Sequence, residues 1–331
     1  METKNTNSIT PPPRLIPTFM TGFNVVANHI WLILFPVFLD LFIWFGPKLR
    51  LQSLLNPLME EANRALRTYN GVDMSEMLAN AQEAWVLVIE RINLTSALST
   101  FPLGIPSLVA ATDTQATPIG ISPSFEITSV WIALMVFLAL VILGLFFGTI
   151  YINFIARNTS TSKNPFSISR FFYQLVNIYA LVLLIIVLIL AVLLPSLFII
   201  SIVALFSPAL SQIVFMIITF IVLWLLVPFV FSPHGIFTEA QNVFKSVMSS
   251  MRLVRLFLPS TGIFILIFVL LAQGLDYLWL APPDNSWLLL IGIVGHAFIY
   301  TGLIATSFIY YQQGNEWMQT NLLKIKQLIK V

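Results

Sequence analysis

The chain has no cysteine, three histidines and only 9% charged residues among its 331 positions. Without cysteine there can be no disulfide, no thiol nucleophile, no iron–sulfur cluster and no thiolate-bound zinc. Histidines at 29, 234 and 296 are too widely spaced to suggest a metal site, so no metal or cofactor is expected. A soluble domain carries roughly 25% charged residues, and this chain has far too few to stay dissolved. Sixteen Lys and Arg against fourteen Asp and Glu cannot build a basic face, which excludes nucleic acid as a partner. Phosphate loops of the form GxxxxGK[ST], HExxH helices and GxSxG elbows are all missing. Glu60-Glu61-Ala62-Asn63-Arg64 has the glutamate pair of CAAX-type intramembrane proteases, but its Arg comes one residue early and the pair sits in a charged segment. The sequence therefore predicts a protein that is not an enzyme.

What the chain has in abundance is apolar sequence, at 58%. About 20 uncharged residues cross a hydrocarbon core of ~30 Å, so intervals between charges locate the spans. Residues 25–45 hold only Asp40, and 127–156 hold no charge. The uncharged interval 171–238 is long enough for two crossings. Pro195 and Ser207-Pro208 divide it into spans at 171–194 and 212–231, with an apolar connector at 195–211 that reads as re-entrant or interfacial. Spans at 256–280 and 287–311 complete a count of six. With both ends inside, the inner segments 1–24, 157–170, 232–255 and 312–331 carry Lys4, Arg14, Arg157, Lys163, Arg170, Lys245, Arg252, Arg255, Lys324, Lys326 and Lys330. The short outer connectors carry none, which fits the positive-inside rule. The expected location is a plasma (inner) membrane with both termini cytoplasmic.

The long outer segment 46–126 has helical periodicity. Asn56-Pro57 reads as a helix start, followed by Leu58, Ala62, Ala65, Leu66 and Tyr69 on one stripe and a stop at Asn70-Gly71. Asp73-Met74-Ser75-Glu76 is a capping-box pattern for a second helix carrying Met77, Leu78, Ala81, Trp85, Val88 and Ile92. Together they predict a helical hairpin whose apolar stripes, Trp85 included, face each other. Asn93-Leu94-Thr95 fits a glycosylation sequon, and Gly144 and Gly148 form a GxxxG face on the second span.

Ionisable groups inside spans are costly and so are candidates for function. Asp40, Asp276 and His296 qualify, and His29 lies three helical turns before Asp40 on the same face. A structural hydrogen-bonding role is the commoner fate of such groups. On the inner side, Ile236, Ala240, Val243, Phe244, Val247, Met251, Val254 and Leu258 follow a helical rhythm, with Glu239, Lys245, Ser246, Arg252 and Arg255 on the other face. That pattern predicts one interfacial amphipathic helix over 236–257. Its partner is either anionic lipid headgroups, met by Lys245, Arg252 and Arg255, or a cytoplasmic protein.

Two resemblances attach to these segments. Gly22-Phe23-Asn24-Val25-Val26-Ala27-Asn28, Leu34-Phe35-Pro36-Val37-Phe38-Leu39-Asp40 and Pro233-His234-Gly235 look like motifs of uncharacterised prokaryotic six-helix membrane proteins, which are related to the membrane domain attached to some glycerophosphodiester phosphodiesterases. That resemblance implies a membrane domain without established chemistry. Glu239-Ala240-Gln241 followed by Leu256-Phe257-Leu258-Pro259 resembles the coupling helix of ABC importer permeases, with Lys245 where that family has Gly. It implies a permease subunit docked on a cytoplasmic ATPase. The expectation is an all-α, six-span bundle with an outer hairpin and an inner amphipathic helix. As for role, a non-enzymatic scaffold, lipid-organising or accessory component comes first, and a transport permease is the alternative.

Overall fold

The computed structural model describes residues 13–69, 82–83, 85–86, 88–112, 116–160 and 167–329. The expected turn at Asn70-Gly71 and most of the second hairpin helix lie outside these residues, as do Lys4, Lys163 and Lys330. The structure is all-α, about 81% helical, and among the described residues five helices are long and apolar enough to cross a membrane, or six if the broken pair at the start counts as one. It is a multi-pass membrane protein. The chain divides into two compact units, one of residues 1–29, 152–268 and 302–331, the other of 30–151 and 269–301.

Helices α1 (Leu15–Asn28) and α2 (Leu34–Phe45) replace the single span expected over 25–45. Pro36 explains the break, because it lacks the N–H that a continuous helix would bond to Leu32 and sits most easily in a first turn. It occupies the third position of α2. Strand β1 (Lys48–Arg50) follows, then α3 (Gln52–Tyr69), which starts four residues earlier than Asn56-Pro57 suggested. Glu126 supplies the missing start signal: its carboxylate accepts from the Ser53 amide at 3.4 Å and the Ser53 hydroxyl at 3.3 Å, at the end of a helix where anions are favoured. Leu58 and Trp85 are both about half exposed. A small recess there is lined by Gln52, Asn56, Met59, Glu60 and Asn63 of α3 with Gln82, Trp85, Val86, Ile89 and Glu90.

Short strands β2 (Ala116–Thr117) and β3 (Gly120–Ile121) pair antiparallel, and β4 (Ser124–Glu126) runs parallel to β1 with Leu49 opposite Phe125. This unit's core is Ile43, Trp44, Leu108, Val109, Leu289 and Ile293. The carbonyls that α2 leaves unpaired at its end are met by Lys48, which donates to Ile43 and Trp44, and by Ser122, which donates to Trp44 at 2.9 Å. A buried cation at a helix C-terminus complements the helix dipole. Asn93 accepts from the Leu49 and Thr95 amides at 2.9 and 3.2 Å, and the buried Thr95 hydroxyl donates to Pro47. The sequon is thus consumed by structure in the folded chain.

Helix α4 (Val130–Thr159) carries the GxxxG pair, which packs on a loop backbone. A Cβ at 144 would come within 2.5 Å of the Leu98 carbonyl, and one at 148 within 2.5 Å of Gly104 Cα. An apolar cleft of about 690 Å³ opens nearby, lined by Phe35, Phe38, Leu98, Leu140, Leu143 and Phe147 among others.

Helix α5 (Ile168–Phe206) runs straight through Pro195, so the connector expected at 195–211 is helical up to Phe206. At 39 residues it extends to about 58 Å, well beyond one crossing. The neighbouring Ser196 hydroxyl donates to the Val192 carbonyl at 2.7 Å, one residue beyond the Ala191 carbonyl that Pro195 leaves without its helical donor. The true break is Ser207, extended at φ −159°, whose hydroxyl caps α6 (Pro208–Leu226) with Pro208 in the first turn.

The amphipathic helix expected over 236–257 is two helices, α7 (Ser232–Glu239) and α8 (Val243–Leu256). Ala240 ends α7 in the left-handed region at φ 50°, which costs an L-residue roughly 1–2 kcal/mol. Asn242 then caps α8 by accepting from the Lys245 amide at 2.9 Å. Helix α9 (Leu258–Trp279) follows. Helix α10 (Leu289–Ile329) then continues unbroken through the segment expected as a separate tail. The second unit's core gathers Phe231, Leu253, Val254, Phe257, Phe264, Tyr310, Tyr311 and Met318. Gly22 of α1 lies against the backbone of Thr306 and Gly302 of α10 against the ring of Phe23, so these two helices approach closely.

Glycine substitutions test this packing. Gly148→Leu should destabilise the protein by about 1–3 kcal/mol, as overpacking does. Gly262→Ala and Gly274→Ala, where a Cβ would meet nothing within 4 Å, should leave it unharmed. Apparent Tm values of the three variants in one detergent decide it.

Candidate functional site

Two places hold polar groups at depth, one in each unit. The first is built on Asp40. This fully buried side chain projects from α2 toward the short helical turn Val109–Ala111, where Oδ1 accepts from the Ser107 hydroxyl and from the Val109 amide at 3.2 Å. Its Oδ2 accepts from the Leu108 amide at 3.2 Å. An irregular segment at this depth has backbone donors with no helical partner, and a carboxylate satisfies several at once.

His296 of α10 stands beside it, 99% buried, with Nδ1 4.0 Å from Asp40 Oδ2. Its other nitrogen, Nε2, is 3.7 Å from Oδ1 of Asp276 on α9. Asp276 is the more open end, its side chain 20% exposed, and its Oδ2 accepts from the Tyr300 hydroxyl at 2.8 Å. Tyr300 lies one turn after His296 with ring centroids 4.1 Å apart, and Gln273 reaches its hydroxyl at 3.5 Å. Asp276 Oδ1, His296 Nδ1 and the indole nitrogen of Trp279 are buried without a hydrogen-bond partner. Sequence reasoning chose Asp40, Asp276 and His296 one by one, and the structure brings all three together. His29 instead meets the Val25 carbonyl of its own helix at 3.0 Å. Ser107 and Tyr300 were not foreseen. The i, i+4 spacing of His296 and Tyr300 could have flagged the tyrosine, whereas nothing in the sequence ties Ser107 to Asp40.

The second place is the break between α7 and α8. Polar side chains from distant helices clamp it. Gln174 donates to the Phe237 carbonyl at 3.0 Å, with its own oxygen taken by Asn153 at 2.5 Å, and Arg170 donates to Thr238 at 2.9 Å. Asn177 accepts from the Val243 amide at 3.0 Å, and Ser246 donates to the Ser232 carbonyl. Ser250 donates to Pro228 at 2.5 Å and accepts from the Phe231 amide at 3.2 Å. His234 meets Ser307 at 2.7 Å against the ring of Phe308. Glu239 accepts from Gln241 at 2.6 Å and from Asn315 at 2.9 Å.

These contacts divide the residues expected to share one polar face. Ser246 is fully buried and belongs to the clamp, whereas Lys245, Arg252 and Arg255 are exposed. Glu239, Lys245, Ser249, Arg252, Asn315 and Gln319 line a polar recess of about 550 Å³. Comparison of the chain with protein-family models, with curated proteins and with solved structures gave no match. Fold and sites together thus define an all-α multi-pass membrane protein with a buried acid–histidine cluster and an exposed cationic helix face.

Removing a clamp should be costly in a predictable way. Asn177→Leu strands the buried Val243 amide and should destabilise by about 1–3 kcal/mol. Lys245→Gln, on the exposed side of the same helix, should leave apparent Tm within experimental error. Equal loss in both would show that Asn177 is not holding the start of α8.

Proposed function

We propose that this membrane protein is a non-enzymatic component of a plasma (inner) membrane that engages anionic lipid through α8, with α8 and both termini on the cytoplasmic side. The observation that carries the reading is the outward face of α8. Lys245, Arg252 and Arg255 are exposed there beside Phe244, Met248 and Leu256, which are 75%, 58% and 49% exposed. Apolar side chains next to cations suit the boundary between acyl chains and headgroups. Ser246, Ser250 and Leu253 hold the opposite face, so the cations are presented on a fixed helix. The concentration of Lys and Arg in the segments expected inside supports the orientation.

Near an anionic surface each cation contributes about 1 kcal/mol. The triple variant Lys245→Gln, Arg252→Gln, Arg255→Gln should therefore bind phosphatidylglycerol on the order of 100-fold more weakly. Lipid adducts counted by native mass spectrometry read this out, and unchanged retention would sink the reading. So would one stoichiometric cytoplasmic protein cross-linked from Met248, and an ATPase there would favour a transport permease.

Orientation has its own test in a chain that lacks cysteine. Ser53→Cys and Asn285→Cys, both exposed positions, should react in intact cells with an impermeant thiol reagent, and Gln319→Cys only after permeabilisation. Labelling of Gln319→Cys in intact cells would reverse the assignment.

A further inference from the structure

Asp40 and Asp276 each keep an oxygen lone pair, and both lone pairs face the same imidazole. Asp40 spends Oδ1 on Ser107 and Val109 and one position of Oδ2 on Leu108, which leaves Oδ2 toward His296 Nδ1 at 4.0 Å. Asp276 spends Oδ2 on Tyr300, which leaves Oδ1 toward Nε2 at 3.7 Å. A bridging water needs two hydrogen bonds of 2.7–3.2 Å in series, hence about 4.5–5.5 Å between the outer atoms. Both gaps are too narrow for that. Neither gap offers a metal more than two ligands, and among the described residues no group of three His, Asp or Glu is arranged to hold an ion. A proton is the ligand left, shared across each gap when the pair closes from 3.7 or 4.0 Å to hydrogen-bond distance.

Counting protons sharpens the point. A neutral imidazole has one N–H and one nitrogen lone pair. With both carboxylates ionised, whichever tautomer is present leaves one gap with a nitrogen lone pair facing an oxygen lone pair in a buried site. One added proton, on the imidazole or on the carboxylate of that gap, gives each gap its own hydrogen. We propose that Asp276, His296 and Asp40 form a site that takes up a single proton and passes it through His296 between a partly exposed carboxylate and a buried one.

The transfer balances. The O–H of protonated Asp276 breaks as Nε2–H forms, and Nδ1–H breaks as O–H forms on Asp40 Oδ2. The proton has then moved from Asp276 to Asp40, and the imidazole has exchanged tautomers. The groups facing the site are Tyr300 from α10, Asp276 from α9, and Ser107 with the Leu108 and Val109 amides from the segment against α2. Asp276 is the open end of the site, because its side chain is 20% exposed and that of Asp40 is sealed.

Nitrogen-15 NMR of histidine-labelled full-length protein in nanodiscs tests this, with His296→Gln identifying the resonances among three histidines. In the wild type, His296 should show one protonation step. Asp40→Asn should keep its carbonyl on Ser107 and Val109 and turn its NH2 to Nδ1, which fixes the Nε2–H tautomer and leaves the Leu108 amide without its acceptor. Asp276→Asn should keep its carbonyl on Tyr300 and turn its NH2 to Nε2, which fixes the opposite, Nδ1–H tautomer. Both variants should lose the step. Asp276 lies at the open end, so its variant remains informative if Asp40→Asn fails to fold. A wild-type His296 that does not respond to pH, or an Asp276→Asn protein that titrates as the wild type does, would overturn the proposal.

Discussion

Wherever this chain leaves helical geometry in its buried interior, backbone amides and carbonyls lose their helical partners, and each such group costs about 1–3 kcal/mol if left bare. The structure meets that constraint with side chains drawn from elsewhere in the sequence. Lys48 and Ser122 close the end of α2, and Asp40 holds the amides of Leu108 and Val109. Gln174, Asn177, Ser246 and Ser250 do the same for the break between α7 and α8. The apolar spans supply bulk, but these polar anchors decide where the irregular segments lie.

That division explains which parts of the fold are legible from sequence. The spans are readable because crossing a hydrocarbon core imposes a length and a near absence of charge, both local properties. The breaks are less readable because their causes are distant. The start of α3 depends on Glu126, more than 70 residues away, and the start of α8 depends on Asn177, 66 residues away. Prolines show the same limit. Pro36 and Pro208 open helices while Pro195 sits inside one, and the residue type alone does not separate these cases.

The candidate residues follow a parallel rule. Lys245, Arg252 and Arg255 were legible as an exposed face because helical periodicity on α8 is a local signal. Ser246 carries the same polarity and sits on that face by the same periodicity, yet it is buried against the Ser232 carbonyl, since α7 folds back onto it. Asp40, Asp276 and His296 stood out by composition, as ionisable groups in apolar runs. Their convergence, with 256 residues between Asp40 and His296, is a product of tertiary structure alone.

The polar groups of this protein thus fall into two kinds. Most are spent: they close a helix end, clamp a turn or tie two helices together, and replacing one would change stability before anything else. A few are unspent. The facing lone pairs around His296 and the cations of α8 make no contact that the fold requires, and keeping them carries a cost in the first case and a solvent-facing charge in the second. Stability does not account for them, and the roles proposed for them are proton uptake at His296 and lipid binding by α8.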